Sequence, residues 1–435
     1  MSPSLAEKAL AYHRMPVPGK LEVFPTKPCF SQQSLSLAYT PGVACACKDI
    51  LDHPDHASDY TGRSNLLAMI TNGSAILGLG NIGPLAGKPV MEGKSMLYKF
   101  FADINVYDLE LDIRDPDKFI ETVTALAPTF GGIHLEDIKA PECFYIEETL
   151  RSRMNIPVYH DDQHGTAIVT GAALINALHL TGRKPEETVV VIAGAGAAGI
   201  ACARLFSGLG IRKSNMRMFD SKGCVHAGRE DLNPYKAAFA QPGDMSLPEA
   251  LNGADVFLGM ATGNIVTGDM LKTMAPSPVI FACANPEPEV SAEEAMTARP
   301  DAIMGTGRSD LPNQINNVSA FPFLMRGVLD IQASSITTSM ELAAAHAIAM
   351  LARESVPEEV TAAYGGRHFS FGKEYLLPKP FDPRLMERIA PAVAKAAMES
   401  GVAARTVHEP EIYKAALKKR IHDVQQRVHA MMNLQ

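Results

Sequence analysis

The sequence lacks the features that would place it among membrane or secreted proteins. It contains no apolar run long enough to cross a lipid bilayer, and its N-terminus lacks the basic head and apolar stretch of a secretory signal. A basic excess is missing as well: the net charge is −8, which does not favour a nucleic-acid partner. We therefore expect a cytoplasmic protein that binds neither membrane nor nucleic acid.

Paired cysteine motifs, internal repeats and low-complexity segments are also missing. The seven cysteines are an odd number, and no two of them have the C-x-x-C spacing of a zinc or redox site. Reduced, mostly buried thiols are therefore expected. A length of 435 residues exceeds what one core ordinarily supports, so we expect two or three domains.

Apolar runs that alternate with helical patterns predict an α/β fold. Upstream, residues 66–84 predict two strands around an Asn72-Gly73 turn, and two more strands follow. Downstream, five buried runs with helices between them predict a doubly wound parallel sheet of the Rossmann type. The later predicted strands are 105–112, 128–136, 188–193, 216–220, 254–260, 278–284 and 302–306. The predicted division is an N-terminal α/β substrate domain (1–165), a dinucleotide domain (166–335) and a helical C-terminal segment (336–435).

Two pairs of adjacent carboxylates each follow a predicted strand. The pairs are Glu136-Asp137 in HLEDIKAPECF and Asp161-Asp162 in VYHDDQHGTA. Like charges this close raise one another's pKa, and a hard cation such as Mg²⁺ or Mn²⁺, which prefers oxygen ligands, relieves the repulsion. Each pair alone is more often an ordinary surface feature, but two pairs beside a nucleotide fold favour a metal site. Glu136 and Asp137 can share an ion only if the chain bends there, because adjacent strand residues point to opposite faces.

A glycine-rich loop, GAGAAG, follows the predicted strand 188–193 and opens a helix. It comprises Gly194, Ala195, Gly196, Ala197, Ala198 and Gly199. This G-x-G-x-x-G pattern between a strand and a helix is typical of dinucleotide-binding loops, in which the helix N-terminus faces the pyrophosphate. Asp220, at the end of the next strand, can accept the ribose hydroxyls of NAD. Ser221 and Lys222 can instead hold the 2′-phosphate of NADP, so both cofactors remain open.

Lys94 and Tyr39 are the candidates for proton transfer. Lys94 follows Gly93, where a helix is predicted to begin, and a positive helix N-terminus lowers the pKa of an ammonium group. A lowered pKa suits a general base. Tyr39 precedes a Pro-Gly turn and is a candidate general acid, although its local signal is weak. A lone lysine or tyrosine is otherwise an ordinary surface or packing residue.

Taken together, these segments resemble the malic enzymes. The matching stretches are LAYTPGVA (37–44), ILGLGNIG (76–83), MEGK (91–94), HLEDIKAPECF (134–144), HDDQHGTA (160–167), GAGAAG (194–199), ANPEPE (284–289) and NQINNVSAFP (313–322). Eight segments in the family's order, within roughly residues 10 to 400, make the resemblance specific. PKPFDPRL (378–385) resembles the malic-enzyme part of bacterial hybrid enzymes, whose extra phosphotransacetylase-like domain is absent from this sequence. A short natural enzyme and a fragment of a hybrid both fit.

The resemblance implies oxidative decarboxylation of malate to pyruvate and CO₂, with NADP or NAD reduced, in a homodimer or higher homo-oligomer. It further implies Lys94 as the base that removes the C2 hydroxyl proton, Asp161 as its partner, and Tyr39 as the acid at C3. Glu136, Asp137 and Asp162 are then the ligands of Mg²⁺ or Mn²⁺. Asn285 and Asn317 match asparagines that touch the substrate, and Asn285 also borders the cofactor.

One position departs from the family pattern. Larger malic enzymes carry an arginine in the ILGLG segment that binds a substrate carboxylate, and Ala75 stands in that place here. Lys99 is the expected substitute. Two other hypotheses remain open: a metal-independent nicotinamide dehydrogenase of another small acid, and a nucleotide-binding regulatory module without turnover.

Overall fold

The computed structural model describes residues 4–76 and 79–432, with side chains as far as residue 430. The chain forms two α/β units followed by helices, so the predicted fold class is confirmed. The strands are β1 (Leu66–Thr71), β2 (Asn105–Glu110), β3 (Gly132–Leu135), β4 (Val158–His160), β5 (Val190–Ala193), β6 (Met216–Asp220), β7 (Gly223–Cys224), β8 (Val256–Gly259), β9 (Val279–Ala282) and β10 (Ile303–Thr306).

Helices cover both sheets and make up most of the C-terminal part. They are α1 (Leu5–Arg14), α2 (Gln32–Ala38), α3 (Val43–Asp52), α4 (Ala57–Tyr60), α5 (Pro84–Ala102), α6 (Pro116–Ala125), α7 (Glu142–Arg153), α8 (Asp161–Thr181), α9 (Ala197–Gly208), α10 (Pro234–Ala237), α11 (Leu247–Leu251), α12 (Gly268–Lys272), α13 (Ala292–Ala298), α14 (Phe321–Asp330), α15 (Thr338–Ala352), α16 (Glu358–Ala363), α17 (Arg384–Glu399) and α18 (Pro410–Met432). Short 3₁₀ turns occupy Pro54–His56, Gly62–Asn65, Pro185–Glu187, Lys213–Asn215 and Asn317–Ser319. Within the described residues, no helix has both the length and the apolar character needed to cross a bilayer.

The first sheet has four parallel strands in the order β2-β1-β3-β4. Its central strands are almost wholly buried, as expected of parallel strands that are covered on both faces. The carboxyl ends of β3 and β4 are neighbours, with Leu135 paired to His160. Side chains that directly follow these two strands therefore meet at one edge of the sheet.

The second sheet has the order β10-β9-β8-β5-β6-β7, and all its pairs are parallel except β6 with β7. The chain enters at β5 in the middle and then builds outward in both directions. The resulting switch point lies at the carboxyl end of β5, where doubly wound sheets bind nucleotides. The loop of residues 194–196 lies at this position, directly before α9.

Two sequence expectations were wrong. The predicted second strand within 66–84 does not form over 72–76 and 79–83, and Leu77 and Gly78 lie outside the described residues. The loop folds back instead: the Gly83 N–H donates to the Gly73 carbonyl at 3.1 Å, and Gly73 has φ +67°. The helix that carries Lys94 does not begin at Gly93 either, because α5 begins at Pro84.

Candidate functional site

Both carboxylate pairs lie at the edge where β3 and β4 end. Glu136 and Asp137 follow β3 directly, whereas Asp161 and Asp162 are the first residues of α8 rather than a continuation of β4. Because a helix N-terminus carries partial positive charge, it stabilises carboxylates placed there. The helix ends at Thr181 and is followed by Gly182, which has φ +68° and caps it.

A bend at Asp137 brings the two pairs together. Asp137 has φ +54°, a left-handed conformation that aspartate tolerates better than most residues. Its N–H donates to Oδ2 of Asp162 at 2.8 Å. Ligand oxygens of Glu136, Asp137 and Asp162 then lie within 4.8 Å of one another. The bend that the sequence required for a shared ion is therefore present.

Lys94 lies in the middle of α5 and points into this cluster. Its Nζ atom is 2.5 Å from Oδ2 of Asp161 and 2.6 Å from Oε1 of Glu136, and it lies over the ring of Phe321. Burial lowers the Lys94 pKa, but the charges of Asp161, Glu136 and Asp162 outweigh it and raise that pKa well above its usual value. The predicted lowering was wrong, because Lys94 lies in the middle of α5 rather than at its start, and the three carboxylates decide the direction of the shift.

Asp161 is wholly buried, and a glycine makes room for it. A Cβ atom on Gly165 would lie 1.9 Å from Oδ1 of Asp161 and 3.0 Å from Cβ of Asn317. Any side chain at 165 would therefore displace Asp161 from Lys94. The same geometry places Asn317, at the start of a 3₁₀ turn, on the Asp161 side of the cluster. The sequence signal for Gly165 is its spacing of four residues from Asp161 on one helix face.

Two buried histidines position the metal-ligand candidates, and sequence reasoning missed both. Nε2 of His134 lies 2.8 Å from Oε2 of Glu136, and Nε2 of His160 lies 3.1 Å from Oδ2 of Asp162. Burial lowers the His134 pKa to about 3, so this ring is neutral near pH 7. The available signal was an i, i+2 alternation in HLE, which places His134 and Glu136 on one face of a strand.

Burial and charge shift the pKa values of Glu136 and Asp162 in opposite directions. Burial and the nearby charge of Asp162 raise the pKa of Glu136, although Lys94 opposes this shift. Burial also raises the Asp162 pKa, but hydrogen bonding and charge from His160, together with Lys94 and the Asp137 N–H, lower it overall.

Another triad, His134, Glu136 and Asp161, also has ligand atoms within 4.8 Å. The Lys94 ammonium already binds two of these three residues, which leaves the first set as the better cation site.

The glycine-rich loop has the geometry that the sequence predicted. Gly194 has φ +115°, and a Cβ there would lie 2.2 Å from the Met260 carbonyl oxygen. A Cβ on Gly199 would lie 1.7 Å from the Gly194 carbonyl oxygen, so α9 can approach the strand only with glycine at 199. A Cβ on Gly196 would meet nothing within 4 Å. Protein packing therefore does not require Gly196, whereas close approach of a ligand does.

A cleft of about 960 Å³ opens in front of this loop. Its lining includes residues 193–196 and 219–224, together with Ala140, Pro141 and Phe144. The segment that supplies Glu136 and Asp137 therefore continues directly into the wall of the nucleotide cleft. The carboxylate cluster therefore adjoins the cleft along the chain.

The two carboxylate oxygens of Asp220 accept four hydrogen bonds. Oδ1 accepts from the Lys222 N–H at 2.9 Å and from Arg229 Nη1 at 2.8 Å. Oδ2 accepts from Arg229 Nη2 at 3.1 Å and from Lys236 Nζ at 2.6 Å. Burial raises the Asp220 pKa, but the bonds from Arg229 and Lys236 lower it to about 2. A carboxylate offers about four acceptor positions, so little capacity is left for ribose hydroxyls.

Three other predicted residues, Lys99, Asn285 and Tyr39, have their contacts outside the cluster. Lys99 binds Asp103 at 2.6 Å and Asn105 at 3.0 Å, because five residues of helix turn it away from the Lys94 face. The structure therefore does not bring it to the substrate position expected for it. Asn285 follows β9 and donates weakly to the Cys283 carbonyl. Tyr39 ends α2 and is 68% exposed.

The fold and the nucleotide loop define an α/β dinucleotide-binding protein that carries a carboxylate cluster beside its cleft. Family models agree with this class: the malic enzyme N-terminal domain matches residues 18–151, and the malic enzyme NAD binding domain matches residues 163–363. The chain therefore belongs to the malic enzyme family, as the sequence resemblance indicated.

Individual relatives support this assignment. The chain is 56% identical over 416 residues to the NADP-dependent malic enzyme of Escherichia coli (strain K12), which covers 95% of this chain and 55% of that protein. It is 53% identical over 406 residues to the NADP-dependent malic enzyme of Halomonas elongata, and this match covers 93% of this chain and 96% of that protein. The crystal structure of malic enzyme from Pyrococcus horikoshii Ot3 is similar with a TM-score of 0.90 at 40% identity, covering 98% of each chain. The chain spans about half the length of several curated relatives that it matches.

Proposed function

We propose that this protein catalyses the oxidative decarboxylation of malate to pyruvate and CO₂, with a divalent cation and with reduction of a nicotinamide cofactor. One observation carries the proposal: carboxylates from two chain segments converge on a point beside a buried lysine and a nucleotide cleft. The names of the relatives agree with this activity. A metal-independent dehydrogenase would not need this set of buried acids.

The residues fit a hard divalent cation. Glu136, Asp137 and Asp162 offer only carboxylate oxygens, which Mg²⁺ and Mn²⁺ prefer. His134 contacts Oε2 of Glu136, which keeps a second lone pair, and the contacts from His160 and the Asp137 N–H to Asp162 both fall on Oδ2, so its Oδ1 retains ligand capacity. When bound, the cation polarises the C2 oxygen as a Lewis acid and offsets the negative field that holds the proton on Lys94.

Lys94 and Asp161 carry the proton transfer in the oxidation step. Lys94 must first release its own proton to solvent, and as the neutral amine it takes the C2 hydroxyl proton while hydride leaves C2 for the nicotinamide, which gives a C2 carbonyl. The C3–C4 bond then breaks and CO₂ leaves. The electron pair of that bond stays with C3 and forms an enolate across C2 and C3. Asp161, held in place by the space at Gly165, keeps the Lys94 side chain in its position within the cluster. Asn317, on the Asp161 side, is a candidate substrate contact.

Tyr39 completes the reaction by protonating C3 of the enolate, and it acts within an oligomer. In the stretch 4–66 no residue is buried, and several large apolar side chains are exposed, among them Phe30 at 95% and Leu37 at 70%. Exposed apolar surface of this extent marks an interaction site. We propose that a second copy of the chain packs against this segment. Tyr39 would then enter a catalytic site when the two copies associate.

NADP is the proposed cofactor. The saturated carboxylate of Asp220 leaves little capacity for the ribose hydroxyls of NAD. Three cations, Lys222, Arg229 and Lys236, form ion pairs with two acids, Asp220 and Asp231, so this ion-pair cluster has one positive charge in excess. A 2′-phosphate would be drawn to this excess and to the hydroxyl of Ser221.

Initial rates test the proposal. The purified protein with malate, Mn²⁺ and NADP is expected to form NADPH and pyruvate in equal amounts, with a higher kcat/KM for NADP than for NAD. NADPH without pyruvate would contradict the decarboxylation step. No reduction of either cofactor would contradict the proposed activity as a whole.

A further inference from the structure

Glu289 is a buried carboxylate between two loops of the nucleotide domain. It has 0% exposure. Its Oε1 atom accepts from the Ala261 N–H at 2.8 Å, and its Oε2 atom accepts from the Ala284 N–H at 3.1 Å. Ala261 follows β8 and lines the cofactor cleft, whereas Ala284 follows β9 and precedes Asn285. One carboxylate therefore joins the two loops at the carboxyl edge of the sheet.

The surrounding chain is built to admit this carboxylate. A Cβ atom on Gly259, the last residue of β8, would lie 2.2 Å from Cδ of Glu289. The loops are also tied along their length: the Asn264 N–H donates to the Pro288 carbonyl at 3.1 Å, and the Val266 N–H donates to the Glu289 carbonyl at 3.0 Å. The side chain thus occupies a fixed position rather than a loose interior space.

No cation pairs with Glu289 in the described part of the chain, and backbone N–H groups provide its polar contacts. Burial raises its pKa, while the bonds from Ala261 and Ala284 oppose that shift. A buried carboxylate without a cation is costly, so a purely packing role would suit an apolar side chain better. Its two acceptor atoms have a geometric use, because each fixes one loop.

The loop that follows β8 lies directly against the glycine-rich loop. Met260 precedes Ala261, and its carbonyl oxygen lies against Gly194, where a Cβ would come within 2.2 Å. Fixing Ala261 therefore also fixes the contact between the β8 loop and the glycine-rich loop. On the other side, fixing Ala284 sets the position of Asn285.

We infer that Glu289 is a positioning residue for the cofactor, which holds the loops after β8 and β9 in the arrangement that accepts the nicotinamide dinucleotide. This inference rests on the proposed function, because it assumes that the cleft takes NADP. Glu289 acts only through the backbone of Ala261 and Ala284.

The test is Glu289→Gln, measured by NADPH binding without malate or metal. The amide keeps the size of the side chain, but its NH₂ faces a backbone N–H, so one donor loses its acceptor. The Kd for NADPH and the KM for NADP are expected to rise about tenfold, with a much smaller change in the KM for malate. An unchanged Kd in the folded variant would overturn the inference.

Asp255→Asn is the matched control at the other end of the same strand. Asp255 precedes β8, accepts from the Val189 N–H at 2.9 Å and pairs with Arg183 at 2.8 Å. This variant is expected to lose thermal stability while the Kd for NADPH stays within about twofold of wild type. Equal increases in Kd for Glu289→Gln and Asp255→Asn would show a general structural effect and overturn the positioning role.

A second variant covers the case in which Glu289→Gln does not fold. Gly259→Ala pushes the carboxylate from the β8 side, and the same rise in Kd is expected. An unchanged Kd in Gly259→Ala would then overturn the inference. Binding of NADPH by wild type without malate oxidation would overturn only the proposed function, whereas absence of NADPH binding by wild type would overturn both.

Discussion

Nζ of Lys94 and Oδ2 of Asp161 lie 2.5 Å apart, although 67 residues separate them in sequence. The pair joins the middle of α5 to the first residue of α8, and Glu136 holds the same ammonium from the β3 side. The relationship makes the proposed base part of the same buried network as the metal-ligand candidates. Its consequences can be measured separately from those of the nucleotide cleft.

Replacing the lysine tests the base. Lys94→Ala leaves Glu136 and Asp161 without their cation, so a loss of about 3 kcal/mol in stability is expected. The kcat for malate oxidation should fall by about 10²-fold or more, as removal of a general base does. NADPH binding should persist, because the cleft is lined by other residues.

Lys94→Arg is the control for charge. Arginine restores a cation between Glu136 and Asp161, but it does not give up a proton near neutral pH. Thermal stability should recover while malate oxidation does not. Recovery of activity with arginine would refute the assignment of Lys94 as the general base and would leave it only an electrostatic role.

Metal affinity should depend on Asp162 and Asp137. Asp162→Asn removes one charge and one anionic ligand, so the Kd for Mn²⁺, measured by calorimetry, is expected to rise at least about tenfold. Asp115→Asn is the control, because Asp115 caps α6 far from the cluster in sequence and asparagine caps as well as aspartate. Asp115→Asn should bind Mn²⁺ as wild type does, and unchanged Mn²⁺ affinity in Asp162→Asn would contradict the proposed carboxylate site.

Cofactor choice should depend on the cations beside Asp220. Lys222→Ala and Lys236→Ala should each raise the KM for NADP about tenfold and change the KM for NAD far less. Lys272→Ala, an exposed lysine paired with Asp269, is the control and should alter neither. An equal rise for NADP and NAD in the first two variants would argue against 2′-phosphate recognition.

Self-association should depend on the apolar N-terminal segment. Phe30→Ser together with Leu37→Ser removes two exposed apolar side chains that flank α2 or lie on it, and should weaken self-association measured by sedimentation. Activity should fall at the same protein concentrations, because Tyr39 lies on this segment. A monomeric but fully active double variant would separate Tyr39 from oligomerisation and contradict the proposal.

Local motifs predicted the fold class and the nucleotide loop, because their information is short-range. A strand of β-branched residues, three glycines and a helix define the turn at 194–199 without reference to the rest of the chain. The carboxylate pairs were likewise found from their positions after two apolar runs. The bend at Asp137 that joins them follows from the structure.

Features that depend on distant packing were missed. The pKa of Lys94 was predicted from a helix start at Gly93, but the helix start at Pro84 and three carboxylates from other segments decide its direction. Arg229 and Lys236 fill the acceptor positions of Asp220, and neither belongs to the nucleotide motif. The division at residues 165 and 335 and the roles of the individual site residues stay predictions.

Malate oxidation in EDTA tests the central claim most directly. Enzyme stripped of divalent ions should not reduce NADP with malate, yet should still bind NADPH, and Mn²⁺ should restore turnover in wild type but much less in Asp162→Asn. Full-rate oxidation of malate in excess EDTA would contradict the claim that acids from two chain segments hold a catalytic cation beside the nucleotide.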